Sequence, residues 1–501
     1  MKLTFKFILK TILLLSIVVF NSCNKKEKEK EKVKEIKITA YNNAVEKSLC
    51  NSSWFPHSQT PAPLEGKKSL FAAKNTTNAI FHQWSWQKFL WLTKPTTEVI
   101  LLPILTRGEP TPIPLKVKIP LFLNPKNMHQ VTSHMQNVVQ QQGAALVLTD
   151  TAQAGSGGVL KTNPAYNDAH KSESVFYSIH VNSTMKNAAE KFKDSILTGK
   201  LGKNNLSSFP IGSLELKVSW TPVTAIPKNK IANYYTTVAA ISTNGKTYTN
   251  TKVALLGMHV VGVVENHPEF IWATFEHNDL APNYNWSKNE ANSSTEKLLF
   301  SKGTTSGIEG ITWVTNSAKL KSKAFDLFEY GVPRNIDGSL MITCQQEPIN
   351  SDNIREINNC VKINLEKEVS AWKNYFYNGS IWIGTDGLNT QEQAQLLVNL
   401  EGAIANATEG SSARGSLNNA NVTMETYTQT FKSNINDITV DNLANCFSCH
   451  NAVSYTGDKS PIYLSHIFDA YIKRAEGKTF KQVEMLKAKQ EVQEFMENRL
   501  K

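Results

Sequence analysis

Between residues 214 and 220 apolar and polar positions alternate, with Leu214, Leu216, Val218 and Trp220 on one side and Glu215, Lys217 and Ser219 on the other. A repeat of two residues is that of a half-buried β-strand. Residues 234–241, 252–265 and 270–277 continue the pattern, separated by turn-rich stretches such as STNGKTYTN with its Asn-Gly pair. An antiparallel sheet follows from strands and turns of this kind. YFYNGSIWIG (375–384) supplies a further strand, and GAALVLTD (143–150) a short one after a helical QNVVQQQ.

Helical spacing appears in FHQWSWQKFLWL (81–92), where Phe81, Trp84, Lys88 and Trp91 share a stripe and Trp86, Phe89 and Leu90 fill the neighbouring positions. Such a helix is buried on most sides, and its aromatics read as core rather than as a cofactor box. KNAAEKFKDSIL (186–197) is amphipathic, and Pro461 opens a helix through IYLSHIFDAYIKRA. Prolines at 103, 110, 112, 114 and 120 exclude a helix over 99–123, which reads as extended loop or sheet edge. No repeat of 20 to 50 residues is present. The fold class is α+β, a large body with a mainly antiparallel sheet over 210–280 and 375–385, plus a C-terminal helical segment.

The first residues change the picture from fold to compartment. Lys2, Lys6 and Lys10 accompany the apolar run ILLLSIVVF (12–20), which is too short to span a bilayer and reads as a signal peptide over 1–22. Cys23 follows Ser22, as in a bacterial lipobox, although Asn21 fits that motif poorly. Cys23 is therefore the expected lipidation site of an outer-membrane lipoprotein, on the periplasmic or cell-surface face. NKKEKEKEKVKEIK, without an aromatic residue, is a solvated tether within 23–45. It also resembles the charged signals that send some Bacteroidetes lipoproteins to the cell surface.

Charge adds little. The chain carries +11, which falls to +8 without Lys2, Lys6 and Lys10. The tether takes another three, leaving about +5 on more than 450 residues, too weak a field for a nucleic-acid partner.

The chemistry concentrates in Cys446, Phe447, Ser448, Cys449 and His450. Two thiols three residues apart lie on one side of a helical turn and can each add to a haem vinyl group, while the next residue's imidazole reaches the iron. Chance would give such a match in about one of 600 chains of this composition. A closed zinc site needs a fourth ligand, usually from a second close pair, and none is present. A thioredoxin-like dithiol follows a strand of a βαβ unit, which DNLANCFSCHNAV lacks. One covalent haem c is expected, held by Cys446 and Cys449, with His450 as axial ligand.

The ligand opposite His450 stays open. Met424, in NVTMETYTQTF, ranks first, followed by His466, in SPIYLSHIF, and then His259 or His277 on neighbouring strands of LLGMHVVGVVENHPEFIWATFEH. Met485 and Met496 sit in a charged helix and are poor candidates. Of the remaining cysteines, Cys344 and Cys360 bracket a polar loop and form the expected disulfide, leaving Cys50 free; the alternative joins Cys50 to one of them. The body runs over 46–420 and the haem segment over 421–501.

The order of SLELKVSW, NYYTTV, the Gly-x-His strand, HPEFIWATFEH and METY before CFSCH, over residues 80–470, resembles an uncharacterised family of exported cytochrome c-like proteins. The resemblance implies export and haem c, and no reaction. Two functions compete: membrane-anchored electron transfer to a redox partner protein, and a haem-dependent oxidoreductase, peroxidase-like or substrate-oxidising, with its active site between body and haem. Electron transfer is preferred, because no nucleotide-binding glycine motif or nucleophile elbow accompanies the haem motif. The body, far larger than a carrier needs, is the argument for catalysis.

Overall fold

The computed structural model describes residues 50–475, apart from 74–75, 103–112, 153–158, 282–283, 286–289, 292–293, 303–311, 315–349, 386, 401–411, 417–418, 420 and 426–445. The expected signal peptide, Cys23, the tether, Cys344, Met485 and Met496 lie outside the described residues.

Nine strands form the main sheet. From one edge its order is β15 (Ala413–Gly415), β14 (Tyr375–Ile383), β10 (His267–His277), β9 (Thr249–Val264), β7 (Leu214–Pro222), β6 (Phe176–Asn182) and β3 (Met128–Val131). β8 (Thr236–Ile241) pairs antiparallel with β9, and β4 (Leu146–Leu148) pairs parallel with β8, the one parallel pairing in this sheet among the described residues. The alternating strands read from sequence are thus its centre: Leu214, Leu216, Val218 and Trp220 are buried, while Glu215 and Lys217 are half-buried.

Two-stranded pairings flank this sheet. β1 (Pro95–Leu102) and β2 (Ile113–Pro120) form an antiparallel pair, so the described part of the proline-rich stretch is extended sheet edge, as its prolines required. Pro95, Pro114 and Pro120 lie in strands with no further partner, where a missing N–H is tolerated. β5 (Val159–Lys161) pairs with β13 (Thr312–Val314), and β11 (Tyr284–Asn285) with β12 (Glu290–Ala291). QNVVQQQ is not helical but runs as irregular chain beside β3, with Val138 N–H donating to Gln130 O.

Helices cover both faces. On one, α1 (Asn78–Thr93) is buried nearly all round, and Phe81 stacks on Trp382 and Phe89 on Phe275 at 3.8 and 4.1 Å between centroids. On the other lie α2 (Ser183–Leu197), whose Asn182 side chain caps Met185 N–H, and the C-terminal segment, with α5 (Cys446–Cys449) and α6 (His466–Ala475). α3 (Asn350–Lys367) packs beside α1, and α4 (Thr390–Leu400) lies on the α6 face.

The expected helix from Pro461 is broken: Pro461–Leu464 is a 3₁₀ turn, Ser465 is extended, and α6 begins at His466. Residues 43–501 form one compact unit, so the described part of 421–501 is built into the body.

The disulfide expectation is overturned. Cys360, on α3, pairs with Cys50, with Cα atoms 6.1 Å apart, well within the span of a disulfide. The shorter loop to Cys344 had favoured the other pairing; packing of α3 against the start of the body decides instead. Asn364 Nδ2 lies 3.9 Å from Cys50 Sγ on the same helix face.

Candidate haem-attachment site

α5 is a single turn, and His450 N–H donates to Cys446 O at 2.8 Å, which closes it and sets His450 beside the cysteines. Cys446 is 8% exposed and Phe447 is fully buried in the core formed with Trp272, Ile381, Ile462 and Phe468. Burial, assisted by the charge of Glu425, pushes the Cys446 thiol far above its ordinary range.

His450 is held from three directions. Its Nδ1 lies 3.0 Å from Leu464 O, which can only accept, so Nδ1 carries the proton and the lone pair stays on Nε2. That tautomer is the one a metal-ligating histidine needs. The indole of Trp272 on β10 lies 4.1 Å from the imidazole, and the His466 ring stacks on it at 4.0 Å with 23° between planes. The break at Ser465 makes this possible, because it turns Leu464 O and His466, two residues apart, toward the same imidazole. The Tyr455 ring lies 5.5 Å from that of His466.

The other candidates are distributed differently. Met424 is fully buried among Tyr177, Leu256, Leu280, Phe300 and Val422, a cluster distinct from the one that holds Cys446. His259 faces the same side of the sheet as Trp272, since His259 pairs with Thr274 and Val261 with Trp272. Its Nδ1 is 2.8 Å from Thr274 Oγ1, and its Nε2 is 2.9 Å from Glu425 Oε2. Burial would raise the Glu425 pKa, but His259, Lys217 and the Asn421 N–H together pull it below the usual carboxylate range.

His277 is not brought to His259. Its ring stacks on Tyr234 at 3.6 Å, its Nε2 donates to Asn233 O at 3.1 Å, and burial lowers its pKa to about 4. His277 lies three positions beyond Thr274 along β10, an odd offset, so the two side chains point to opposite faces.

Among the described residues no group of three His, Cys, Asp or Glu side chains is arranged to hold a bare metal ion. Around α5 the His450 imidazole, the His466 ring stacked on it and an apolar, aromatic wall with Trp272 and Phe447 lie together. Trp272, Leu464 O and Glu425 were missed from sequence. Trp272 stood in the alternating strand HPEFIWATFEH and Glu425 next to Met424, yet nothing local pointed either toward the cysteines.

No family model, curated protein or solved structure matches this chain. Among the described residues no helix is long and apolar enough to cross a membrane.

Proposed function

We propose that this chain is an exported c-type haem protein, anchored by lipid at Cys23, that passes electrons to or from a redox partner protein. The observation that carries the reading is the setting of His450: its tautomer is fixed by Leu464 O and a second imidazole lies against it. Cys446 and Cys449 would form the thioethers and His450 would bind iron through Nε2; His466 is preferred to Met424 as a further ligand and would turn off the His450 ring face, on which it is stacked, to reach the iron. Bound there, haem supplies one reversible one-electron couple. The chain's own residues orient the imidazoles, exclude water with Trp272 and Phe447, and keep the Cys446 thiol protonated until it reacts. The Cys50–Cys360 disulfide supports an oxidising compartment, where haem c attachment also occurs.

The test is the absorption spectrum of the full chain produced with a haem c maturation system, after acid–acetone extraction and again with carbon monoxide. Haem that stays on the chain, low-spin in both oxidation states and indifferent to carbon monoxide, is the expected result. Haem lost to the solvent would sink the covalent assignment. Rapid carbon monoxide binding would move the protein to the haem-oxidoreductase class.

A further inference from the structure

The junction of β6 and α2 carries a pair of side chains that has no part in the haem reading. β6 ends at Asn182 and α2 opens at Ser183, so a serine stands where a strand turns directly into a helix of 15 residues. His129, on β3, is paired in the ladder with Val181, two residues before that serine. Its Nε2 lies 3.0 Å from Ser183 Oγ. Ser183 is exposed and His129 half-buried, so the pair is open to solvent.

Asn182 fixes this junction. Its Oδ1 accepts the Met185 N–H at 3.0 Å and the Leu214 N–H at 3.2 Å, and its Nδ2 donates to Gly212 O at 2.7 Å. The cap takes the third N–H of α2, while the first two, those of Ser183 and Thr184, have no partner within the helix. They open at the positive end of α2, on the serine itself and the residue after it. Met185, fully buried, anchors the turn in the core.

Other Ser–His contacts in the fold are built differently. Ser178 and His180, 3.0 Å apart, are sealed in the core, and Ser178 Oγ also accepts the Trp220 Nε1–H at 2.9 Å. Ser133 and His134 are neighbours in the chain. At Ser183 the hydroxyl faces solvent and the imidazole arrives from another strand. The glycines that flank the nucleophile of a strand-to-helix elbow are absent from VNSTM (181–185), so nothing in the sequence marked this serine.

The surroundings of His129 suit it to accept a proton. Partial burial and the Lys186 ammonium, one turn along α2, lower its pKa, and Glu190, one turn further, opposes them. The imidazole is therefore neutral at pH 7. Among the described residues no carboxylate bonds its other nitrogen, so the arrangement is a dyad and not a triad.

We propose that Ser183 and His129 form a nucleophile–base dyad that hydrolyses small carboxylic esters, an activity independent of the haem reading above. Ser183 Oγ adds to the ester carbonyl carbon as its proton passes to His129 Nε2, and the carbonyl oxygen, now negative, accepts from the Ser183 and Thr184 N–H groups. The bond to the alkoxy oxygen then breaks, and the alcohol leaves with the proton from His129. Water adds to the acyl-serine in the same way, which releases the carboxylic acid and restores the serine. Ser183 and Thr184 are both exposed, so the site suits a short acyl group such as acetyl, which needs no deep pocket.

The experiment uses the full chain, with or without haem, so its outcome does not depend on that cofactor. The protein is treated with a fluorophosphonate and mapped by mass spectrometry, and hydrolysis of p-nitrophenyl acetate is followed in parallel. A single phosphonyl group on Ser183 is expected, with an initial burst of nitrophenol equal to the protein present. Ser183→Ala should abolish both, and His129→Gln should slow both by about 100-fold, the scale of a lost general base. Each variant is compared with the wild type once its urea midpoint shows that it folds; the wild-type labelling stands as a test without them. A wild-type Ser183 left unlabelled, or rates unchanged by Ser183→Ala or by His129→Gln, would overturn the proposal.

Discussion

The contest between Met424 and His466 turns on side-chain surroundings that no spacing rule contains. Met424 lies twenty-two residues before Cys446 and His466 sixteen after His450, and the Met424 thioether is packed among Tyr177, Leu256 and Phe300. His466 starts α6 and stacks on His450. His466→Ala should open the iron to carbon monoxide and shift it toward high spin, whereas Met424→Leu should leave the spectrum unchanged and cost at most about 1.5 kcal/mol as a near-isosteric core change. A spectrum altered by Met424→Leu and untouched by His466→Ala would reverse the order of the two ligands. The pentapeptide stood out in the sequence because it is five consecutive residues. The ring that stacks on His450 did not, because the kink at Ser465 that brings His466 there depends on how Pro461–Leu464 packs under the sheet.

At the scale of elements, periodicity served well wherever burial alone decides. The strands at 214–222 and 267–277 and the aromatic helix α1 follow from it, because each presents a face, or a whole circumference, to the core. It failed for QNVVQQQ, irregular chain whose Val138 N–H bonds β3, and it held for the proline-rich stretch, whose extended strands have no outer partner to demand a further N–H. The disulfide was misread for a related reason. Loop length favours a near cysteine, while the bond forms between the elements that touch, here residues separated by 310 positions. Closing so long a loop contributes on the order of 5 kcal/mol in the chain-entropy model. Non-reducing peptide mapping should recover a Cys50–Cys360 peptide. Cys50→Ser and Cys360→Ser should each lower the urea midpoint to the same degree, and Cys344→Ser should leave that peptide in place. Unequal losses from Cys50→Ser and Cys360→Ser would show that the two thiols act separately.

For the molecule as a whole, the large core sets a limit on acidity. Burial lowers the pKa of His57 and His277 to about 4 and of His82 and His180 to about 3, against 6.5 for an ordinary imidazole. His57 bonds Leu90 O and Thr93 Oγ1, His82 bonds Tyr377 and Asn350, and His180 bonds Ser178, so each is satisfied as a neutral group in a different part of the fold. Below pH 6.5 the unfolded chain binds protons at these positions and the folded chain does not, so stability present above 6.5 is lost as pH falls toward the folded values. Each histidine contributes a slope of about 1.4 kcal/mol per pH unit inside that window. The urea midpoint of the haem-loaded protein should therefore fall steeply between pH 6.5 and 5, a range in which most carboxylates have yet to titrate. His82→Gln, which can still bond Tyr377 and Asn350, should remove one proton from the slope while leaving the spectrum as it was. An unfolding midpoint that stays level from pH 7 to 5 would mean that these imidazoles are reached by water and protonated without unfolding, and that the core is looser than its packing indicates.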